Sequence, residues 1–78
     1  MVLGILEASH ANQALIKRLQ EDSDYVVRTQ AASALGQIGL SESLTVLDDT
    51  MKTDSSRDVI PQCEMSITQI KNNIKSDP

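Results

Sequence analysis

The residues that could do chemistry in this chain are few and scattered. His10 is the only histidine and Cys63 the only cysteine, so neither can draw on a second residue of its own kind. Zinc binding or acid–base catalysis would require His, Cys or carboxylate groups converging on one point, and the spacing supplies no such set. His10 is therefore expected in a loop or at a helix cap. Asp48, Asp49, Asp54 and Asp58 lack the alternating oxygen ligands and central glycine of a calcium loop, and read as solvated caps and turns. Arg28 has two readings: a partner contact, or a structural ion pair with nearby Asp22 or Asp24.

What must position these residues is a short chain, 78 residues long with one aromatic, Tyr25. Its core has to be built from Leu, Ile, Val, Met and Ala, which favours close helix packing over a roomy ligand cavity. A single cysteine cannot make an internal disulfide, and no apolar run approaches the roughly 20 residues that span a bilayer. Met1 to Leu6 is apolar but too brief, and lacks the basic start, for a signal peptide. A cytoplasmic protein with no membrane role is expected. The net charge of −4 disfavours nucleic acid, whose binders rely on clustered Lys and Arg.

The chain repeats itself with a period of 32. Asp22, Ser23, Val27, Gln30, Gln37 and Ile38 recur as Asp54, Ser55, Val59, Gln62, Gln69 and Ile70, and Leu15 recurs as Leu47. Leu35 with Ile67, Leu19 with Met51 and Ala31 with Cys63 conserve size rather than identity, so the match follows core positions. Cys63 thus reads as a small core residue. Shifted backward, the register sets Leu3, Gly4, Leu6 and Ser9 on Leu35, Gly36, Ile38 and Ser41, so residues 1–9 read as the tail of a partial repeat. Residues 10–40 form the first full repeat, 41–74 the second, and 75–78 a polar tail.

Each repeat reads as a helical hairpin. Leu15, Ile16 and Leu19 mark a first helix from Asn12 to Gln20. After a polar turn, Val27, Ala31, Ala34, Leu35 and Ile38 recur on one face of a second helix, from Tyr25 to Ile38. Asp24 is its expected N-cap and Gly39 its stop. In the second repeat Ser41 should cap a helix from Glu42 to Met51, and Val59 to Asn73 forms the last helix. Pro61 is tolerable in that helix if Asp58 caps it and places the proline in the first turn. Gly4 and Gly36, one repeat apart, point to close helix approach rather than to a phosphate loop.

The string Asp22-Ser23-Asp24-Tyr25-Val26-Val27-Arg28, followed by Ala31, Ala34, Leu35, Gly36 and Ile38, resembles the HEAT-like repeat named after the phycobilisome lyases. The second repeat follows the pattern more loosely, with Ile60 in place of the arginine and Thr68 in place of the glycine. The resemblance implies an all-α fold: a right-handed α-solenoid of antiparallel helix pairs, with the second helix of each pair lining the concave side. It also implies that Arg28 and Asp22 belong to an inter-repeat ladder of Asp and Arg.

With no catalytic set in view, the sequence favours a non-enzymatic module that binds another protein and needs no cofactor. The expected binding surface is an amide-rich strip of Arg28, Thr29, Gln30, Ser33 and Gln37, with Ala32 among them, continued by Gln62, Ser66 and Gln69. The alternative is a subunit or fragment of a bilin lyase-like or other enzyme-associated HEAT-repeat protein. A metal enzyme related to the HEAT-repeat deoxyhypusine hydroxylases would require His-Glu pairs, and none occurs. Finally, Leu3 and Leu6 form an apolar N-terminal patch expected to pair copies of the chain.

Overall fold

The computed structural model describes residues 5–75, and the side chains of residues 7–74. Four helices follow one another: α1 (Ile5–Glu21), α2 (Tyr25–Ile38), α3 (Ser43–Thr53) and α4 (Val59–Lys75). Among the described residues there is no strand. Leu3 and Gly4 lie outside the described residues, as does the side chain of Leu6, so the proposed N-terminal patch does too.

α1 differs most from expectation. From Ile5, the first described residue, it runs without interruption through the stretch read as a partial repeat and a loop. The reason lies in the register: the residue that corresponds to Gly39 is Glu7, which cannot relax into the left-handed conformation that stops α2. No Gly or Pro stands between Ile5 and Glu21 to break the helix elsewhere. His10 is therefore an exposed helical residue and not a loop or cap residue.

α2 has the expected limits. The Asp24 carboxylate accepts the Val26 N–H at 2.9 Å as its N-cap. Gly39 closes it with φ +79°, its N–H donating to the Leu35 carbonyl at 3.1 Å. α3 begins after Glu42 without a side-chain cap, so Ser41 does not have the role expected of it. Its entry is tied instead by backbone bonds from Ser43 N–H to the Leu40 carbonyl and from Leu44 N–H to the Ser41 carbonyl, both 3.1 Å. Pro61 is the third residue of α4, in the first turn, where its missing N–H costs nothing.

The period of 32 recurs as hydrogen bonds. Asp22 N–H donates to the Arg18 carbonyl, and Asp54 N–H to the Thr50 carbonyl; Arg28 N–H donates to the Asp24 carbonyl, and Ile60 N–H to the Ser56 carbonyl. Asp22 and Asp54 each accept, through Oδ1, the N–H two residues further on. The two turns are thus built alike.

α2 packs on α1 and, through its other side, on α4, while α3 packs on α4; α1 and α3 touch more lightly. Leu19, Ala31, Leu35, Leu47, Val59, Cys63 and Ile70 form the buried core, joined by Ala32. Ala32 is fully buried, which removes it from the surface strip expected of it. The correction has a simple cause: a helix with neighbours on two sides buries more than one stripe, and its second stripe consists here of small residues. At Gly36, an added Cβ would lie 2.8 Å from both Cβ and Oγ of Ser66. Close approach of α2 and α4 is therefore why a glycine stands there, despite its cost of about 1 kcal/mol relative to alanine in a helix.

Candidate functional site

Among the described residues, three polar links stand out between the two repeats, and the first engages two of the residues that might have done chemistry, Arg28 and Asp54. The first is at the turns. Arg28 Nε donates to Asp54 Oδ2 at 2.8 Å and its Nη2 to Asp54 Oδ1 at 3.3 Å, while Nη1 donates to the Asp22 carbonyl at 3.0 Å. The pair is largely enclosed, with side chains 18% and 10% exposed. Burial would raise the Asp54 carboxyl, but the Arg28 hydrogen bond, the Ser56 N–H and the Arg28 charge outweigh it and hold the group below its ordinary value. Arg28 is thus engaged inside the molecule. Its carboxylate partner is Asp54 of the next repeat, not Asp22 or Asp24 of its own.

The second link joins α1 to the start of α3. Asn12, fully buried, accepts the Ser43 hydroxyl at 3.0 Å and donates to Glu42 Oε1 at 3.1 Å. Glu42 therefore reaches across to α1 rather than capping its own helix. The third link joins α2 and α4: the buried Ser66 hydroxyl donates to the Ala32 carbonyl at 2.7 Å and accepts from Gln62 at 3.3 Å. Ser66 accordingly faces the protein interior, and it is not part of a binding surface.

The rest of the expected strip divides. Thr29 is half-buried and donates to the Tyr25 carbonyl at 2.8 Å, whereas Gln30 and Gln37 are exposed. Ser33, Gln62 and Gln69 are brought together with Glu64, Met65 and Asn72 along an open groove of about 820 Å³ between α2 and α4. The groove lining contains one carboxylate, Glu64, and no cationic side chain. Gln30 borders a separate, smaller depression of about 450 Å³ with Thr29, beside Tyr25, Val26 and Asp58.

Cys63 is fully buried, as its repeat position implied. Burial, reinforced by the Asp54 charge, pushes its thiol up to about 11, so it is protonated at neutral pH and a poor nucleophile. No helix among the described residues is long and apolar enough to cross a membrane.

Comparison with known proteins identifies the repeat. A family model described as HEAT repeats matches residues 1–68. The chain is 38% identical over 71 residues to the deoxyhypusine hydroxylase of Debaryomyces hansenii, an alignment covering 90% of this chain and 23% of that protein. It is 36% identical over 85 residues to the deoxyhypusine hydroxylase of Schizosaccharomyces pombe, covering 99% of this chain and 27% of that protein. Deoxyhypusine hydroxylase-B of Oryza sativa subsp. japonica is 37% identical over 65 residues, covering 83% and 21%. The chain thus spans about a quarter of the length of the curated relatives it matches. No solved structure gives a significant match.

These relatives overturn the expectation of a non-enzymatic binding module, because they are enzymes and their likeness covers most of this chain. They give no support to the phycobilisome lyase type of repeat. The expectation erred because a segment that lacks a His-Glu pair can still be similar, along nearly its whole length, to part of an enzyme. The residues here do not fit a metal centre: His10 is followed by Ala11, and among the described residues no three His, Cys, Asp or Glu side chains group to hold a metal ion.

Proposed function

Since the chain belongs to the HEAT-repeat family, we propose that it is a HEAT-repeat segment of an enzyme of the deoxyhypusine hydroxylase type, contributing to hydroxylation of deoxyhypusine. The observation that carries this reading is the 36% identity to the fission-yeast hydroxylase along 99% of the chain. In this reading α1 with α2, and α3 with α4, are antiparallel pairs of a right-handed solenoid, with α2 and α4 on its concave side. The three polar links make the segment a stiff part of the enzyme, and the groove beside Ser33, Gln62 and Gln69 is the surface it turns toward substrate. The chemical step belongs to residues outside this segment, because the described side chains do not form a catalytic set.

A domain exchange tests the reading. The matching quarter of the Schizosaccharomyces pombe hydroxylase is replaced by this chain, and conversion of deoxyhypusine is followed by mass spectrometry as the gain of one oxygen. Activity within about tenfold of the parent enzyme is expected, a tenfold loss being ~1.4 kcal/mol of transition-state stabilisation. A chimera that folds and melts like the parent but leaves deoxyhypusine unchanged would overturn it.

A further inference from the structure

On α2, the flank that receives α4 consists of Ala32, Leu35 and Gly36, all buried. Adding the repeat of 32 moves that flank onto Glu64, Ile67 and Thr68 of α4, with Ile60 and Ile74 seven residues to either side of Ile67. Seven residues are nearly two helical turns, so the three isoleucines form an apolar stripe down one side of the helix. Among the described residues no further helix covers this flank. Glu64, Thr68 and Lys71 are exposed and Ile74 is 50% exposed, while Ile60 and Ile67 are partly buried, Ile67 against the core and beside Leu44 of α3.

The flank cannot receive a helix in the way α2 receives α4. There, the absence of a side chain at Gly36 lets Ser66 approach; here Thr68 and Glu64 replace Gly36 and Ala32 and hold an incoming backbone away. Coiled-coil spacing, in which side chains rather than backbones meet, remains open to it.

The charges select the occupant. Glu64 and Lys71 border the same side of the stripe, about 10 Å apart along the helix axis, too far to pair as residues four apart do. The ion pairs among the described residues are Arg28 with Asp54 and Lys52 with Asp48, so neither Glu64 nor Lys71 is neutralised within the chain. Asp48, which shares a small depression with Lys71, is held by Lys52 at 2.9 Å. When two copies of one helix lie antiparallel about a two-fold axis between positions 67 and 68, position 64 of each faces position 71 of the other. A parallel two-fold pair would instead turn this edge of each stripe toward the opposite edge of the other, so that Glu64 and Lys71 would not meet. We propose that this flank of α4 is a self-complementary interface that joins two copies of the chain in antiparallel orientation. Ile60, Ile67 and Ile74 form its seam, and Glu64 of each copy meets Lys71 of the other. The interface is distinct from the N-terminal patch at Leu3 and Leu6, and it stands or falls independently of the hydroxylase reading.

Charge reversal tests it on the full chain, with mass measured by light scattering and sedimentation equilibrium across a concentration series at low salt. The unaltered chain is expected to dimerise. By symmetry each single reversal, Glu64→Lys or Lys71→Glu, creates two like-charge contacts and should weaken the dimer by about tenfold. The double reversal should restore it. Both residues are exposed, and unchanged circular dichroism would confirm that the fold is intact. A chain that stays monomeric at every concentration overturns the proposal. So do dimers that survive the single reversals, dimers lost only on Leu3→Glu with Leu6→Glu, or a double reversal as weak as the two single ones combined.

Discussion

Arg28 and Asp54 lie 26 residues apart in the chain, yet they form a two-pronged ion pair that ties the first inter-helix turn to the second. Because Arg28 also donates to the Asp22 carbonyl, one guanidinium holds the turns of both repeats. Removing either partner leaves the other enclosed and incompletely bonded. Arg28→Ala and Asp54→Ala should therefore each destabilise the fold by ~1–3 kcal/mol. Denaturant unfolding of both single variants and the double variant should show less than additive losses, the mark of a shared interaction.

The same pair gives stability a pH dependence. The folded-state carboxyl of Asp54 is held below its ordinary value of 3.8, so the unfolded chain binds the proton more tightly. Stability from this group is present above the unfolded value and is lost as pH falls through the lowered folded one. Urea midpoints measured from pH 7 down to pH 2.5 should fall less steeply for Asp54→Asn than for the unaltered chain. Parallel curves would show that Asp54 does not contribute to the acid transition.

Gly36 offers a test of the contact between α2 and α4. A methyl group there would stand 2.8 Å from the Cβ and Oγ of Ser66, itself fixed by its bond to the Ala32 carbonyl. Alanine improves helix propensity by about 1 kcal/mol, but overpacking costs ~1–3 kcal/mol, so Gly36→Ala should be destabilising on balance. Combining it with Ser66→Gly should cost less than the two changes summed. A higher melting temperature for Gly36→Ala alone would mean that the helices can separate freely.

How far the fold was legible depends on which physical pattern each element carried. α2 could be bounded to the residue because its two ends carry local chemistry, the Asp24 cap and the left-handed Gly39. α1 could not, because its register suggested a break where Glu7 stands in place of a stopping glycine. Ala32 and Ser66 were placed on the surface for a related reason: small and polar side chains in a helix packed on two sides look like an exposed face. The link from Asn12 to Ser43 carries no periodicity, and its two residues are 31 apart, so nothing local announces it. Function was less legible still, since among the described residues no group of His, Cys, Asp or Glu side chains marks a site.

Leu35 should be among the most sensitive positions in the core. It is fully buried in α2, packed with Ala31 and Ala32 in a cluster that also contains residues of α1, α3 and α4. Leu35→Ala is expected to lower stability by ~2–5 kcal/mol, the range for a buried leucine whose cavity does not collapse completely. An unchanged melting temperature would place the residue outside the core.

Cys63 supplies a probe of the same core that needs no substitution. Its Sγ belongs to a fully buried residue, and burial together with the Asp54 charge moves the thiol from 9.0 to about 11. Thiolate is the reactive form, so native Cys63 at pH 8 is protected twice, by steric exclusion and by its small ionised fraction. A disulfide reagent should therefore label the native chain far more slowly than the urea-unfolded chain. The native rate should also report opening of the core: Leu35→Ala and Arg28→Ala should accelerate it in proportion to their loss of stability, as long as closing outpaces labelling. Rapid labelling of the unaltered native chain at pH 8, at the rate of a free thiol peptide, would show that Cys63 is neither buried nor raised in pKa.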